Sequence, residues 1–254
     1  MTRTLAFAER NLKELLRDPL SYIFCLGFPL IMMLVMTVVN ESIPPEAGMV
    51  IFRIDHLTGG IAVFGLSFLM LFTCLNISKD RSGAFLTRLY ASPLRPVDFI
   101  MGYILPVLVL SLLQLIITFT AGFIVSLITE VEVNILGCLL AVVTMLPSAL
   151  YFIGFGLLFG TLFSEKAAPG LCSIIISLAS FLGCVWFDAE SLGGIMFDIC
   201  KVLPFYHSTA AARAATMLEF ESYGIHMLIS SAYALVILVV SVLLFRGKMK
   251  ADVS

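Results

Sequence analysis

The sequence predicts an all-α integral membrane protein with six transmembrane helices, and three observations carry that prediction. Hydrophobic residues make up 60% of the 254-residue chain and charged residues only 13%, with a mean hydropathy of +1.07. A soluble domain averages about 25% charged residues, too many for this chain to pass as one. The apolar residues fall into six stretches, each long enough to cross a hydrocarbon core of about 30 Å. The few charges between those stretches are sorted by sign and by side.

The elements follow in order. Residues 1–19 predict an amphipathic elbow helix, with Leu5, Ala8, Leu12, Leu15 and Leu16 on one face and Glu9, Arg10, Lys13, Glu14 and Arg17 on the other. Asp18-Pro19 ends it. Such a helix fits either the membrane interface or a packing surface on another subunit. No small-residue cleavage site follows the apolar run, so a signal peptide is not predicted. The first span is 20–39, with Pro29 expected to kink it. Asn40 to Leu57, with Pro44 and Pro45, reads as a loop, and 58–77 is the second span.

The interval 79–98 is the long polar break of the chain, and carries Lys79, Arg81, Arg88 and Arg95. Phe85, Leu86, Leu89 and Tyr90 fall on one stripe of a short helix. Gly83 precedes the stripe. Ser92-Pro93 closes it, because a residue before proline is pushed out of the helical region. Such a helix needs cover. It either lies on lipid headgroups or plugs into a soluble partner.

The third span is 99–126, followed by a tight loop with Glu130 and Glu132. The fourth is 135–163, broken by Pro147 and rich in glycine; Gly156 and Gly160 form GxxxG, a spacing that can let two helices approach. The fifth is 170–187, opened by Pro169. Residues 188–223 are too short-runned and too charged to cross, and fit two short helices dipping into the outer leaflet. The sixth span is 225–245.

Six spans place both termini on one side. Arg3, Arg10, Lys13, Arg17, Lys79, Arg81, Arg88, Arg95, Lys166, Arg246, Lys248 and Lys250 then share the inner side, leaving Arg53, Lys201 and Arg213 outside. Most acids, Asp55, Glu130, Glu132, Asp188 and Glu219 among them, fall outside. This is the positive-inside pattern.

Several chemistries are disfavoured. The six predicted spans contain no Asp, Glu, Lys or Arg, and their one histidine, His226, sits at the very start of the sixth, whereas pumps and proton relays keep ionisable groups at depth. Asn76 and Gln114 are the larger polar residues there, expected to bond a neighbouring helix. Cys25, Cys74, Cys138, Cys172 and Cys184 lie in apolar runs as small hydrophobes. Cys200 is in the outer segment without an obvious partner. His56, His207 and His226 read as polar surface residues. The sequence holds neither HExxH nor GxxxxGK[ST], so no metalloprotease site and no P-loop is present. A net charge of −2 offers nothing to nucleic acid. No cofactor or metal set is expected in this chain, and its energy must come from a partner.

At this point the chain resembles the membrane subunits of type-2 ATP-binding-cassette (ABC-2) exporters. The likeness rests on Arg17-Asp18-Pro19-Leu20 with Phe28-Pro29, on Asp80-Arg81-Ser82-Gly83 through Arg88-Leu89 to Ala91-Ser92-Pro93-Leu94 with Gly102, and on Leu203-Pro204-Phe205 with Arg213. The resemblance implies that the helix between spans two and three is a cytoplasmic coupling helix. Ser82, Gly83, Phe85, Leu86, Leu89, Tyr90, Ser92 and Pro93 would then meet a separate ABC ATPase subunit, beside elbow residues Leu5, Leu12, Leu15 and Leu16. It implies re-entrant outer helices between spans five and six. It also implies a second permease copy or paralogue, ATP and Mg bound by the partner, and a bacterial cell membrane with both termini cytoplasmic. The cargo would be amphipathic or apolar: a drug, an antibiotic, an antimicrobial peptide or a lipid-like molecule. Rival readings are an ATP-independent pore, a membrane-bound lipid enzyme, and a resistance sensor that binds its ligand without exporting it.

Overall fold

The computed structural model describes residues 3–44, 49–82, 96–188 and 193–251. Every regular element among them is helical. In chain order these are α1 (Arg3–Arg17), α2 (Pro19–Tyr22), a π-helical segment (Ile23–Gly27), α3 (Phe28–Ser42), α4 (Ile54–Ser82), α5 (Pro96–Ile128), α6 (Ile135–Thr144), α7 (Leu146–Leu162), α8 (Ala168–Leu182), α9 (Gly194–Val202), α10 (Pro204–Met217) and α11 (Tyr223–Ala251). Among the described residues, five stretches are long and apolar enough to cross a membrane: Pro19–Ser42, Ile54–Ser82, Val97–Ile128, Ile135–Leu162 and Tyr223–Lys248. The protein is a helical integral membrane protein.

Local chemistry explains the breaks. Asp18 separates α1 from α2 by capping the new helix: its carboxylate accepts from Leu20 N at 3.1 Å and Ser21 Oγ at 2.8 Å, with Pro19 in the first turn. Pro29 has no N–H to give the carbonyl four residues back. The chain answers with the π-helical segment, where the Phe28 N–H reaches Ile23 O, five residues back. Pro147 acts in the same way on the fourth stretch: α6 stops at Thr144, Met145 forms a turn, and α7 restarts with the proline in its first turn.

The helices run past most of the expected spans. α4 covers Ile54–Ser82, not only 58–77, so Asp55 and Asp80 lie within it, buried near its two ends. The absence of acids from the spans therefore applies to the middle of the helix alone. α8 is the exception. It has 15 residues, about 22 Å of rise, and ends before the expected 187. Beyond Leu182 the chain turns, with Cys184 in the left-handed region at φ 54°.

α4 is the hub. Its apolar window is 83% buried inside the protein, against 17% for the first span and 22% for α11, which expose their outer faces. α4 packs along α7, α5, α8 and α10, and α7 in turn packs on α11. The GxxxG pair permits the close approach of α4 and α7. A Cβ on Gly156 would lie 2.6 Å from Met70 O, and one on Gly160 would lie 2.8 Å from Cys74 O. The Ser241 hydroxyl of α11 donates to Gly154 O of α7 at 2.7 Å.

At one end of the bundle, α10 is wedged among protein rather than lipid. Ser208 joins Ser148 at 2.8 Å and the Tyr151 hydroxyl at 3.0 Å. Arg213 donates to His56 O at 3.0 Å and to Cys184 O at 2.8 Å, tying the start of α4 to the turn after α8. Two sequence expectations are corrected here. His207 is not on the surface: it is 4% exposed, with its Nδ1 2.8 Å from His226 Nδ1 and its Nε2 2.8 Å from Lys201 O. Cys200 is fully buried, in a small cluster with Cys184 and Tyr206. The wrap of α9 and α10 over the bundle produces both, and such tertiary cover has no local signature.

Candidate coupling site

The opposite end of the bundle gathers α1, the end of α4, the start of α5 and the turn between α7 and α8. Of the residues proposed to meet a partner, Gly83, Phe85, Leu86, Leu89, Tyr90, Ser92 and Pro93 lie outside the described residues. Ser82, at the end of α4, is described. Its hydroxyl lies 3.0 Å from Lys79 O and 3.1 Å from Glu165 Oε2. Beside it, Arg81 reaches the C-terminal end of α7 and donates to Gly160 O at 2.9 Å. That end carries the negative pole of the helix dipole, which suits a cation.

The elbow α1 has three faces rather than two. Phe7, Ala8, Asn11 and Leu15 are buried against the bundle. Leu5 and Leu16 are 48% and 50% exposed, and Leu12 is half-buried. Arg10, Lys13, Glu14 and Arg17 fall on the remaining arc. The expected single stripe of Leu5, Ala8, Leu12, Leu15 and Leu16 is thus split. A period near 3.6 marks apolar positions, but it does not tell a protein-facing leucine from one left open. Phe7 packs edge-on to Phe99 and Tyr103, at 5.8 and 5.1 Å between ring centroids. It also sits where a side chain on Gly102 would be, which gives that glycine a steric role.

The polar contacts of α1 fasten it to both flanks of residues 83–95. On the α4 side, Arg10 donates to Asp80 Oδ2 at 2.7 Å and Oδ1 at 3.0 Å. The Tyr103 hydroxyl adds a third bond to Asp80 at 2.8 Å. Lys79 pairs with Glu14 at 2.7 Å. On the α5 side, the Thr4 hydroxyl donates to Asp98, and the buried Asn11 amide donates to Gly102 O at 2.9 Å. Burial pulls the Arg10 guanidinium down, but the bond and charge of Asp80 outweigh it and hold the group above its ordinary value. A buried carboxylate with a bidentate arginine and a tyrosine donor is a fully satisfied joint. The sequence carries Asp80 within a motif but gives no sign of this partnership, because residues 10 and 80 meet only in the fold.

The two amides named from sequence do not bond a neighbouring helix. The Gln114 Nε2 group donates to Thr118 of its own helix at 3.1 Å, and its Oε1 is buried without a partner. Asn76 is 9% exposed and makes no side-chain hydrogen bond among the described residues. Among those residues no three His, Cys, Asp or Glu side chains are grouped as a metal site.

A family model described as ABC-2 type transporter matches residues 2–217. That match covers the elbow, both flanks of residues 83–95, and α10. No curated protein matches the chain.

Proposed function

The chain belongs to the ABC-2 type transporter family, whose membrane domain is a permease that works with ABC ATPases; from that premise we propose that this one is the permease of an ATP-driven exporter. A separate ATPase subunit, holding ATP and Mg, docks on residues 79–98 and the adjoining elbow. A second permease copy or a paralogue completes the path. The cargo is amphipathic or apolar, as the uncharged middles of the spans suggest. The chain crosses the cell membrane six times, with α8 as the short fifth crossing and both termini in the cytoplasm.

One observation supports this reading above the others. The elbow is bonded to Asp80 on one flank of residues 83–95 and to Asp98 and Gly102 on the other. A push on that interval is therefore received by α1, α4 and α5 as one body, and α4 is the hub of the bundle. A pore working without ATP has no need of such a joint. The test is Leu89→Arg, assayed in vesicles with the ATPase present. Lost complex formation and lost transport-linked ATP hydrolysis are expected; unchanged values for both would sink the proposal.

A further inference from the structure

A cavity of about 470 Å³ opens at the same end of the bundle, between the C-terminal end of the elbow, the last turns of α4 and the turn after α7. Its apolar floor is Leu15, Phe72 and Leu75, and its rim is Glu14, Arg17, Asp18, Lys79 and Glu165. Asn76 also lines it. This amide is nine-tenths buried and without a side-chain partner among the described residues. Its amide atoms are not among the buried atoms that lack a partner, so they open onto the cavity and offer it both a donor and an acceptor for a polar ligand atom.

The rim limits what that ligand can be. Lys79 pairs with Glu14 at 2.7 Å, and Arg10 meets the other oxygen of Glu14 at 2.9 Å, so neither Lys79 nor Glu14 is spare. Arg17 is exposed and has no ion pair among the described residues. Asp18 and Glu165 carry hydrogen bonds from Leu20, Ser21 and Ser82 but meet no cation among the described residues. One spare cation and two spare carboxylates face a zwitterion, with an anionic group for Arg17 and an ammonium for the acids. The surroundings identify its source. Leu16 and Leu20, on either side of Arg17 and Asp18, are 50% and 55% exposed, and Ile23 and Phe24 continue that apolar surface along the first span. A charged mouth at the foot of an open apolar wall is where a phospholipid presents its headgroup.

We infer that this cavity is a binding site for a zwitterionic phospholipid headgroup bearing a phosphate and a primary ammonium. Arg17 takes the phosphate, Glu165 and Asp18 take the ammonium, and the Asn76 amide bonds the phosphate or glycerol oxygens. The acyl chains run along the exposed face at Leu20 and Ile23. The site is independent of the export reading, because binding is measured without an ATPase.

The protein is reconstituted in nanodiscs of phosphatidylethanolamine and phosphatidylglycerol in equal amounts, and the lipid retained after release is counted by native mass spectrometry. One phosphatidylethanolamine per chain is expected to survive in preference to phosphatidylglycerol. Arg17→Gln and Glu165→Gln alter exposed side chains and leave the fold intact, and each is expected to lower retention at least fivefold. Asn76→Leu is expected to do the same with an unchanged melting temperature. Equal retention of both lipids, or retention unchanged in the Arg17 and Glu165 variants, would overturn the site. Binding of acyl-free glycerophosphoethanolamine as tightly as the lipid would overturn the lipid assignment.

Discussion

Arg10 grips both carboxylate oxygens of Asp80 across 70 residues of sequence, at 2.7 and 3.0 Å. The Asp80 side chain is only 4% exposed and that of Arg10 36%. Removing the arginine therefore strands a buried anion, whereas removing both charges does not. Arg10→Met is expected to cost about 3 kcal/mol, and Arg10→Met with Asp80→Asn to recover part of that. Denaturant unfolding in detergent over the double-mutant cycle measures the coupling. Additive losses would mean that the pair does not hold the elbow.

The helix contact at Gly160 is set by backbone, which cannot yield as a flexible side chain would. Gly160→Val is expected to destabilise by about 2–3 kcal/mol through overpacking against α4. Gly170 lies in α8, where a Cβ would have nothing within 4 Å. Gly170→Ala is expected to be neutral or to stabilise by a few tenths of a kcal/mol, because it raises helix propensity. Thermal melts of the two variants give the comparison.

The His207–His226 contact predicts a pH response. His207 Nε2 must donate to Lys201 O, so its Nδ1 accepts from His226 Nδ1. Burial holds His207 below its ordinary value of 6.5. The unfolded chain thus binds the proton more readily than the folded one. Stability is full above about pH 6.5 and falls as pH drops through the window beneath it. The melting temperature should decline from pH 7.5 to pH 5, and His207→Phe should flatten that slope.

Cys184 and Cys200 report on α10. Cys184 and Cys200 are 2% and 0% exposed, so a membrane-impermeant maleimide should label neither in the folded protein. Arg213→Gln removes the bonds to His56 O and Cys184 O. Each such charged bond is worth about 1.5–3 kcal/mol, and local opening should raise labelling about tenfold or more. Rapid labelling of the unaltered protein would contradict this packing.

Much of this architecture is legible in the chain because a bilayer demands long apolar runs and proline breaks them in known ways. The stretch before Asn40, the break at Pro147 and the Gly156–Gly160 contact all follow from spacing. What spacing does not carry is which side of an amphipathic helix meets protein. Leu5 and Leu16 look the same as Leu15 in sequence, yet only Leu15 is buried. Asp80, His207 and Cys200 read as ordinary polar or thiol positions until elements distant in sequence cover them. α8 ends early because the chain turns at Gly183 and Cys184, and its apolar run continues to 187 regardless.

The central claim is that this permease draws its energy from an ATPase seated on residues 79–98. The most direct measurement is solute uptake into inside-out vesicles holding the purified chain, with and without its ATPase subunit and ATP. Uphill uptake only when both are present, abolished by Leu89→Arg, is the predicted result. Sustained uphill uptake by the chain alone would contradict it.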